Sequence, residues 1–337
     1  MKTLSKIFMV IALLAMAGSA LAGTLEKVQQ NGELVLGVSE GVAGFSAPDS
    51  NGKWAGFDVD MGKAVAAAVL KNPDAIKYVP LASKQKIVAV SSGQVDLSRG
   101  TTWTMKRDCK QGVDFTVVLF YDGQGLMVKK GLGVTKATEL DGASVAVVSG
   151  TTSELNVADF ARANNIKLET VVFESKKEAF NAYVAGRADA FTTDVSQLAS
   201  LRAGTTNPDE HIILPEVFSK EPLSPFVRHG DQQWKDLVTW VLFGLIEAEE
   251  KGITQANVLE MKAKSTDPVV QRMLGATGDV GALIDLDNDW LVRAIQAVGN
   301  YGEMYDRNFG PKSALKIPRG HNNLWTKGGL IYAMPIR

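Results

Sequence analysis

The sequence predicts an α/β protein of two similar lobes, each built on a doubly wound sheet. Apolar strand-like runs alternate with stretches of helical periodicity, which is typical of a sheet covered by helices on both faces. One residue pattern also occurs twice, at Ala89–Thr101 and at Ala182–Asp194: an apolar helix end, a glycine, an aspartate and then a strand. This repeat indicates two βαβ-type units at corresponding places in two lobes.

Residues 1–22 have the features of a secretory signal peptide. Lys2 and Lys6 precede an apolar run from Ile7 to Ala17, and Ala20-Leu21-Ala22 is a typical cleavage site. The apolar run is too short for a transmembrane anchor, which needs about 20 residues. We therefore expect cleavage after Ala22 and an exported mature protein that is not inserted in the membrane.

Composition argues against several classes of function. The formal net charge is −1, and removing two lysines with the signal takes it to −3, so a nucleic-acid partner is not expected. The single cysteine, Cys109, cannot form an intramolecular disulfide. The histidines are widely separated, which makes a metal site improbable. No nucleotide-binding glycine motif or nucleophile elbow occurs, so no cofactor is expected.

The first lobe is predicted to follow a βαβαβ order. The continuous apolar character of its first strand favours a parallel strand covered on both faces. Asp58 and Ser83 precede stretches of helical periodicity, so both are predicted to be helix N-caps. The predicted segments are strands at 33–38, 76–79 and 113–120, a short strand after Gly93, a glycine-rich turn at 39–44, a hairpin turn at 49–52, and helices from Asp58 to Val69 and from Ser83 to Gly93.

The second lobe is predicted to lie between two crossovers of the chain. Thr151 and Glu154 fit a capping box, so a helix should begin there with its N-terminal amides facing the ligand side. The predicted segments are strands at 125–129, 143–148, 170–173 and 188–193 and a helix at 176–185. Placing the crossovers at 122–125 and 220–225 gives lobe 1 as 23–123 plus 224–337, and lobe 2 as 124–223.

Beyond the second crossover the chain is predicted to return to lobe 1. Asp231 is expected to cap a long amphipathic helix. From about residue 253 a helical C-terminal extension follows, which we expect to pack around lobe 1. The two crossovers together predict a hinge, in which small residues are common.

The repeated strands carry the candidate binding residues. In open α/β sheets ligands bind outside the carboxyl ends of the strands. Thr101 and Thr102 follow the first strand, and Arg107 comes five residues later, a combination suited to holding a carboxylate. Asp194 closes the corresponding strand of lobe 2 and could hold an ammonium group. A surface loop around Arg107 and a purely capping role for Asp194 are the alternatives.

Several motifs resemble one known family. Gly-Phe-Asp-Val-Asp-Met at 56–61 is similar to the signature of polar amino-acid-binding proteins of bacterial ABC transporters. Gly-Val-Ser-Glu-Gly at 37–41, Thr-Thr-Trp-Thr at 101–104, Asn-Tyr-Gly-Glu-Met at 300–304 and Trp-Thr-Lys-Gly-Gly-Leu at 325–330 resemble its general amino-acid-binding subgroup. The resemblance spans the mature chain. It implies the type II periplasmic-binding-protein fold, with a two-strand hinge.

The resemblance also implies which residues bind the ligand. They are Arg107, Thr102, Gly100, Asp194, Thr151, Thr152 and Glu40. A guanidinium, a hydroxyl and the Gly100 backbone amide would hold the ligand carboxylate, and Asp194 would hold its ammonium. The helix start of lobe 2 would touch the ligand, and Glu40 would approach it from lobe 1. One departure is that the subgroup often has Asn in place of Gly100, after a loop one residue longer.

We therefore expect a periplasmic component of an ABC importer. It would bind L-α-amino acids with broad specificity and deliver them to the membrane permease, as a monomer and without enzymatic activity. One alternative is a cyclohexadienyl dehydratase-like enzyme on the same fold, with Glu40 as general acid. Another is a sensor protein that presents its ligand to a receptor.

Overall fold

The first sheet and its helices occupy the start of the chain in the computed structural model, which describes residues 23–337. The elements are α1 (Thr24–Asn31), β1 (Leu34–Val38), β2 (Ala47–Pro48), β3 (Trp54–Ala55), α2 (Phe57–Leu70), β4 (Ile76–Pro80), α3 (Gln85–Ser91), β5 (Leu97–Thr102), α4 (Met105–Lys110), β6 (Val113–Phe115) and β7 (Phe120–Asp122). The predicted signal peptide lies outside the described residues.

The second sheet follows after a single intervening residue. Its elements are β8 (Gln124–Lys129), β9 (Ser144–Val148), α5 (Thr152–Ala163), β10 (Glu169–Phe173), α6 (Lys176–Val184), β11 (Ala190–Asp194), α7 (Val195–Ala203) and β12 (His211–Ile213). The chain then returns to the first sheet through β13 (Glu221–Arg228) and continues as α8 (Gln232–Glu250), α9 (Val258–Lys264), α10 (Pro268–Met273), α11 (Trp290–Val298) and α12 (Tyr301–Asn308).

Both sheets share one topology. The first has the order β4-β1-β5-β13-β6, with β7 also pairing with β13, and the second has the order β10-β9-β11-β8-β12. Three parallel strands stand in the order second-first-third, and a crossover strand adds antiparallel to the third. The predicted two-lobe α/β fold is confirmed, and the repeated sequence pattern ends in equivalent strands, β5 and β11.

The connections between the sheets lie side by side. Strand β7 ends at Asp122, and β8 begins at Gln124 on the other side of Gly123. A side chain at Gly123 would meet Val217 Cγ1 at 2.2 Å and the Ser219 carbonyl oxygen at 2.9 Å, so only glycine fits. Strand β13 pairs with β7 from Glu221 onward. The last three residues that we assign to lobe 2 therefore already pair with the first sheet.

The C-terminal extension is part of the lobe 1 core, as predicted. Apolar residues of the extension join the same buried cluster as the strands and helices of lobe 1, among them Trp290, Tyr301, Phe309, Leu324 and Ile331. Arg293 also caps the end of α2, donating to the carbonyls of Ala67 at 3.1 Å and Ala68 at 2.9 Å. The extension and α2 therefore stabilise each other.

Some local predictions were wrong. Asp58 does not cap α2 but lies in its first turn, buried, and accepts hydrogen bonds from the Ser46 hydroxyl at 3.2 Å and the Gly100 amide at 3.3 Å. Ser83 precedes α3 without a side-chain cap in the described structure. The predicted strand at 113–120 is two strands, β6 and β7. The Asp231 cap is confirmed, since its carboxylate accepts from the Trp234 amide at 3.2 Å.

Within residues 23–337, none of the helices is both long and apolar enough to span a bilayer.

Candidate functional site

A cavity of about 40 Å³ lies where the carboxyl ends of β5 and β11 face each other across the two lobes. Most of the predicted site residues line it, namely Gly100, Thr102, Arg107, Thr151, Thr152 and Asp194. The fold thus brings together residues nearly one hundred positions apart in the chain. Glu40 is not in this group.

Asp194 presents a buried carboxylate from lobe 2. It occupies the N-cap position of α7, yet within the described chain its side chain makes no capping bond. The carboxylate accepts instead from Gln197 Nε2. Burial raises the pKa of Asp194 to about 6, and the nearby Glu221 charge adds to the effect. Capping therefore does not explain this residue, and its charge favours a cationic partner.

Arg107 presents a guanidinium from lobe 1. Thr104 caps α4 by accepting from the Arg107 amide at 3.3 Å, which fixes the start of the short helix at the end of β5. The Arg107 Nη1 atom donates to the Thr102 carbonyl at 2.8 Å. Burial lowers the pKa of Arg107, while Glu221 and Asp194 oppose this shift. The guanidinium remains charged at any ordinary pH and can still donate to an anion.

Glu221 is a site residue that sequence reasoning missed. Its carboxylate, 1% exposed, accepts hydrogen bonds from the hydroxyls of Thr102 and Thr152. It also accepts from Asn156 Nδ2 at 2.7 Å and from the Ser219 hydroxyl at 2.8 Å. Glu221 therefore connects lobe 1, lobe 2 and the hinge beside the cavity. The only indication of Glu221 in the sequence was its position between the prolines of the second crossover.

The helix start at Thr151 is built as predicted in one respect. Thr151 Oγ1 accepts from the Glu154 amide at 3.3 Å and donates to the Val148 carbonyl at 2.7 Å. Glu154 reaches back to the Gly150 amide at 2.7 Å rather than to Thr151. The Thr151 hydroxyl is thus already engaged in the hydrogen bonds of the helix cap. What it offers the cavity is the amide-rich N-terminus of α5, which favours an anion.

Gly100 lines the cavity but differs from its expected role. Its backbone amide donates to Asp58 Oδ1 at 3.3 Å and is not directed at a ligand. Asp58 is buried, which raises its pKa, and the Arg99 charge together with the donors from Gly100 and Ser46 opposes that shift. The expectation that this amide holds a carboxylate is therefore not met in this structure.

Three cations in the cleft were also missed. Lys86, Arg99 and Lys176 line the cavity together with Arg107. Lys86 donates to the Thr101 hydroxyl, and Arg99 Nη1 reaches the Gly100 carbonyl at 3.4 Å. The sequence did not indicate a site role for Lys86, because the apolar spacing of its helix predicts only packing against the core. Arg99 lies inside the short buried strand β5.

A second cavity, of about 340 Å³, adjoins the first and shares Ser83, Arg99 and Lys176 with it. Glu40 lines this second cavity, where it is exposed. Phe180 and Leu201 provide apolar surface on the lobe 2 side. We call the two spaces the head cavity and the side chamber.

The lobes touch at the rim of the cleft. Lys84 Nζ lies 2.8 Å from Glu174 Oε2 on the opposite lobe. A side chain at Gly150, which has a φ of +70°, would approach Lys84 Cγ to 3.2 Å. The cleft is therefore closed in this conformation.

The comparisons with known proteins agree with this architecture. Residues 34–256 match the bacterial extracellular solute-binding proteins, family 3, and the chain belongs to that family. The general L-amino acid-binding periplasmic protein AapJ of Rhizobium johnstonii is 54% identical over 324 residues, covering 95% of each chain. The glutamate/glutamine/aspartate/asparagine-binding protein BztA of Rhodobacter capsulatus is 49% identical over 335 residues, covering 99% of each chain.

A solved structure extends the likeness to the whole described fold. It is a periplasmic binding protein of an ABC transporter from Brucella ovis with glutathione bound. It shares 49% identity and a TM-score of 0.92, covering 94% of this chain and 100% of its own. The C-terminal extension is thus common to these full-length relatives.

Proposed function

We propose that the protein closes its two lobes on an L-α-amino acid and delivers it to the permease of an ABC importer. The observation that carries the proposal is that Arg107 and Asp194, from opposite lobes, line one closed cavity. A guanidinium and a carboxylate facing one small space suit a zwitterion, because each buried ligand charge needs an opposite partner.

The residues take distinct roles in this proposal. Arg107 binds the ligand carboxylate, assisted by the N-terminal amides of α5 at Thr151 and Thr152. Asp194 binds the ammonium. Thr102 and Thr152 direct their hydroxyl protons to Glu221, so their oxygen lone pairs remain available to accept from the ammonium.

The ligand side chain extends into the side chamber. The chamber is several times larger than the head cavity, and Glu40 stands at its lobe 1 wall. A roomy side chamber beside a fixed head-group site supports broad specificity. The relative named as a general L-amino acid-binding protein supports the same assignment.

We propose a periplasmic, monomeric binding protein rather than an enzyme. The signal-like residues 1–22 and the periplasmic relatives support export. The relatives are named as binding proteins. An enzyme would need an acid held against the ligand, whereas Glu40 is exposed.

The test is a thermal-shift screen of the mature protein with the twenty L-amino acids, their D-forms and prephenate. Ligands that bind only the folded state raise the melting temperature by mass action. Shifts with several L-forms are expected. Turnover of prephenate, or no shift with any amino acid, would contradict the proposal.

Substituting Arg107 provides the residue-level test. Arg107→Ala should weaken L-amino-acid binding by more than about tenfold, since one charge-assisted hydrogen bond is worth at least that much. Arg187→Ala is the matched control, because Arg187 is exposed outside the cleft. Calorimetry measures both affinities. Unchanged binding by Arg107→Ala would contradict the role of Arg107 in holding the ligand carboxylate.

A further inference from the structure

Asp194 does not cap the helix that begins beside it. An aspartate at an N-cap position normally turns back and accepts a hydrogen bond from the second or third amide of its helix. Within the described chain, the Asp194 carboxylate makes no such bond to α7. It lines the head cavity instead and accepts from Gln197. The first amides of α7 therefore need acceptors from another part of the chain.

The hinge supplies these acceptors. The Val195 amide, the first of α7, donates to the Gly123 carbonyl at 2.8 Å. The Ser196 amide, the second, donates to Asp122 Oδ1 at 3.4 Å, and the Ser196 hydroxyl donates to Asp122 Oδ2. An acceptor for the second amide is what an N-cap side chain provides. Asp122 therefore takes the capping role that the N-cap residue itself leaves open.

The strand register explains how a distant residue reaches this helix. In the antiparallel pair of β8 and β11, Asp194 lies opposite Gln124. The same register, continued beyond the strands, places Ser196 opposite Asp122. Asp122 also ends β7, where it pairs with Glu221 in the sheet of lobe 1. Its backbone thus belongs to lobe 1, while its side chain caps a helix of lobe 2.

Asp122 can influence the site without touching the ligand. It is not among the residues that line the head cavity. Burial and the Asp194 charge raise the pKa of Asp122 to about 7. Both the neutral and the ionised carboxyl group can accept from Ser196, so the cap does not require the charge.

We propose that Asp122 is a positioning residue, which caps α7 from the hinge and so leaves the Asp194 carboxylate available for the ligand ammonium. Ser196 is only 3% exposed, and a buried amide needs an acceptor. Without Asp122, the Ser196 amide would compete with the ligand for the Asp194 carboxylate. This inference rests on the proposed function, in which Asp194 holds the ammonium.

The experiment uses two ligands that differ in the ammonium, titrated calorimetrically into the mature protein. Glutaramic acid is L-glutamine without its amino group, so its binding does not depend on an ammonium contact with Asp194. Asp122→Ala should weaken L-glutamine binding by about five- to tenfold, the usual effect of losing a helix cap. Binding of glutaramic acid should change by less than about twofold. Retained binding of glutaramic acid also shows that the variant folds.

Further variants separate capping from charge. Asp122→Asn keeps an oxygen for Ser196 but removes the charge, so it should bind L-glutamine within about twofold of wild type. Ser196→Ala removes the hydroxyl donor and leaves Asp122 in place, and it should weaken L-glutamine binding by about threefold. Asp209→Ala, at an exposed position of lobe 2, is the matched control and should leave both affinities unchanged.

The outcomes distinguish the positioning role from the proposed function. Unchanged glutamine binding by Asp122→Ala, or an equal loss for both ligands, would overturn the positioning role. A loss in Asp122→Asn as large as in Asp122→Ala would also overturn it, since the charge would then be responsible. If Asp122→Ala does not fold, the same comparison of ligands on Ser196→Ala decides. If no L-α-amino acid binds the wild type, the proposed function itself falls.

Discussion

Glu221 connects the two lobes and the hinge in the closed structure. Its two carboxylate oxygens receive four donors: two threonine hydroxyls, the Asn156 amide and the Ser219 hydroxyl. Only an ionised carboxylate can accept from all of them without presenting a donor of its own. The residue therefore stabilises the closed arrangement and orients the hydroxyls beside the head cavity.

Replacing this carboxylate with an amide tests the role. Glu221→Gln places an NH₂ group opposite two donors, so it should lower the free energy of unfolding by about 1–3 kcal/mol, the cost of leaving buried groups unpaired. Urea denaturation measures the change. Glu33→Gln, at an exposed position, is the control. A Glu221→Gln protein as stable as wild type would show that the network is dispensable.

The aspartates near the hinge give binding a pH dependence. Burial raises the pKa of Asp122 to about 7, with the Asp194 charge adding to it, and the pKa of Asp194 lies at about 6. Asp194 must be ionised to pair with an ammonium. From pH 7.5 to 5, affinity for L-glutamine should fall roughly tenfold, following the ionised fraction. Calorimetry across this range checks it, and a flat profile would contradict the role of Asp194.

Stability of the free protein should change in the opposite direction. Because both pKa values are raised on folding, the folded state binds more protons than the unfolded state between about pH 4 and 7. The contribution of the pair to the free energy of unfolding therefore grows as pH falls through this window and is lost as pH rises. Urea denaturation of Asp122→Asn should show a weaker pH slope than wild type, whereas an unchanged slope would count against this contribution.

At the scale of elements, the C-terminal extension supports the hinge. Asn322 is buried and forms two hydrogen bonds with the backbone of Tyr121 in β7, accepting from its amide at 2.6 Å and donating to its carbonyl at 3.1 Å. The Tyr301 hydroxyl donates to the Leu119 carbonyl at 2.8 Å just before β7. The extension thus fixes the strand from which the chain crosses to lobe 2.

Removing the Asn322 side chain should therefore lower the free energy of unfolding. Asn322→Ala leaves the partly buried backbone amide and carbonyl of Tyr121 without this partner and should cost about 1–3 kcal/mol of unfolding free energy. Asn31→Ala, at the exposed end of α1, controls for loss of an amide. If thermal or urea unfolding does not distinguish the two variants, the extension does not support the hinge in this way.

Elements with local signals were predictable from the sequence. The paired patterns before Thr101 and Asp194 predicted equivalent strands, and Asp231 caps its helix as expected. The predicted cap at Asp58 was wrong because its carboxylate accepts hydrogen bonds from Ser46 and the Gly100 amide instead. These tertiary contacts outweigh the local preference for capping.

The hidden part of the site follows the same logic. Glu221 depends on Thr102, 119 residues away, and on Thr152, 69 residues away. No local sequence pattern predicts contacts between residues so far apart in the chain. In the sequence, Arg99 and Lys86 are indistinguishable from ordinary members of a strand and a helix. Only the packing of the second lobe against the first places them at a cavity.

At the scale of the whole molecule, we expect the rim to contribute little to closure. The Lys84–Glu174 bridge joins side chains that are 44% and 76% exposed, and such pairs contribute about 0–1 kcal/mol. Lys84→Ala should therefore change ligand affinity by less than about fivefold. A loss as large as that expected for Arg107→Ala would show that the rim, rather than the buried site, holds the lobes together.

The central claim is that the two lobes clamp the two charges of an amino acid. Calorimetric titration with L-glutamine, glutaramic acid, which lacks the ammonium, and L-glutamine α-amide, which lacks the carboxylate, tests it directly. Each analogue should bind about 100-fold more weakly or worse, because it leaves Asp194 or Arg107 buried without a partner. If either analogue binds as tightly as glutamine, the clamp formed by these two residues is contradicted.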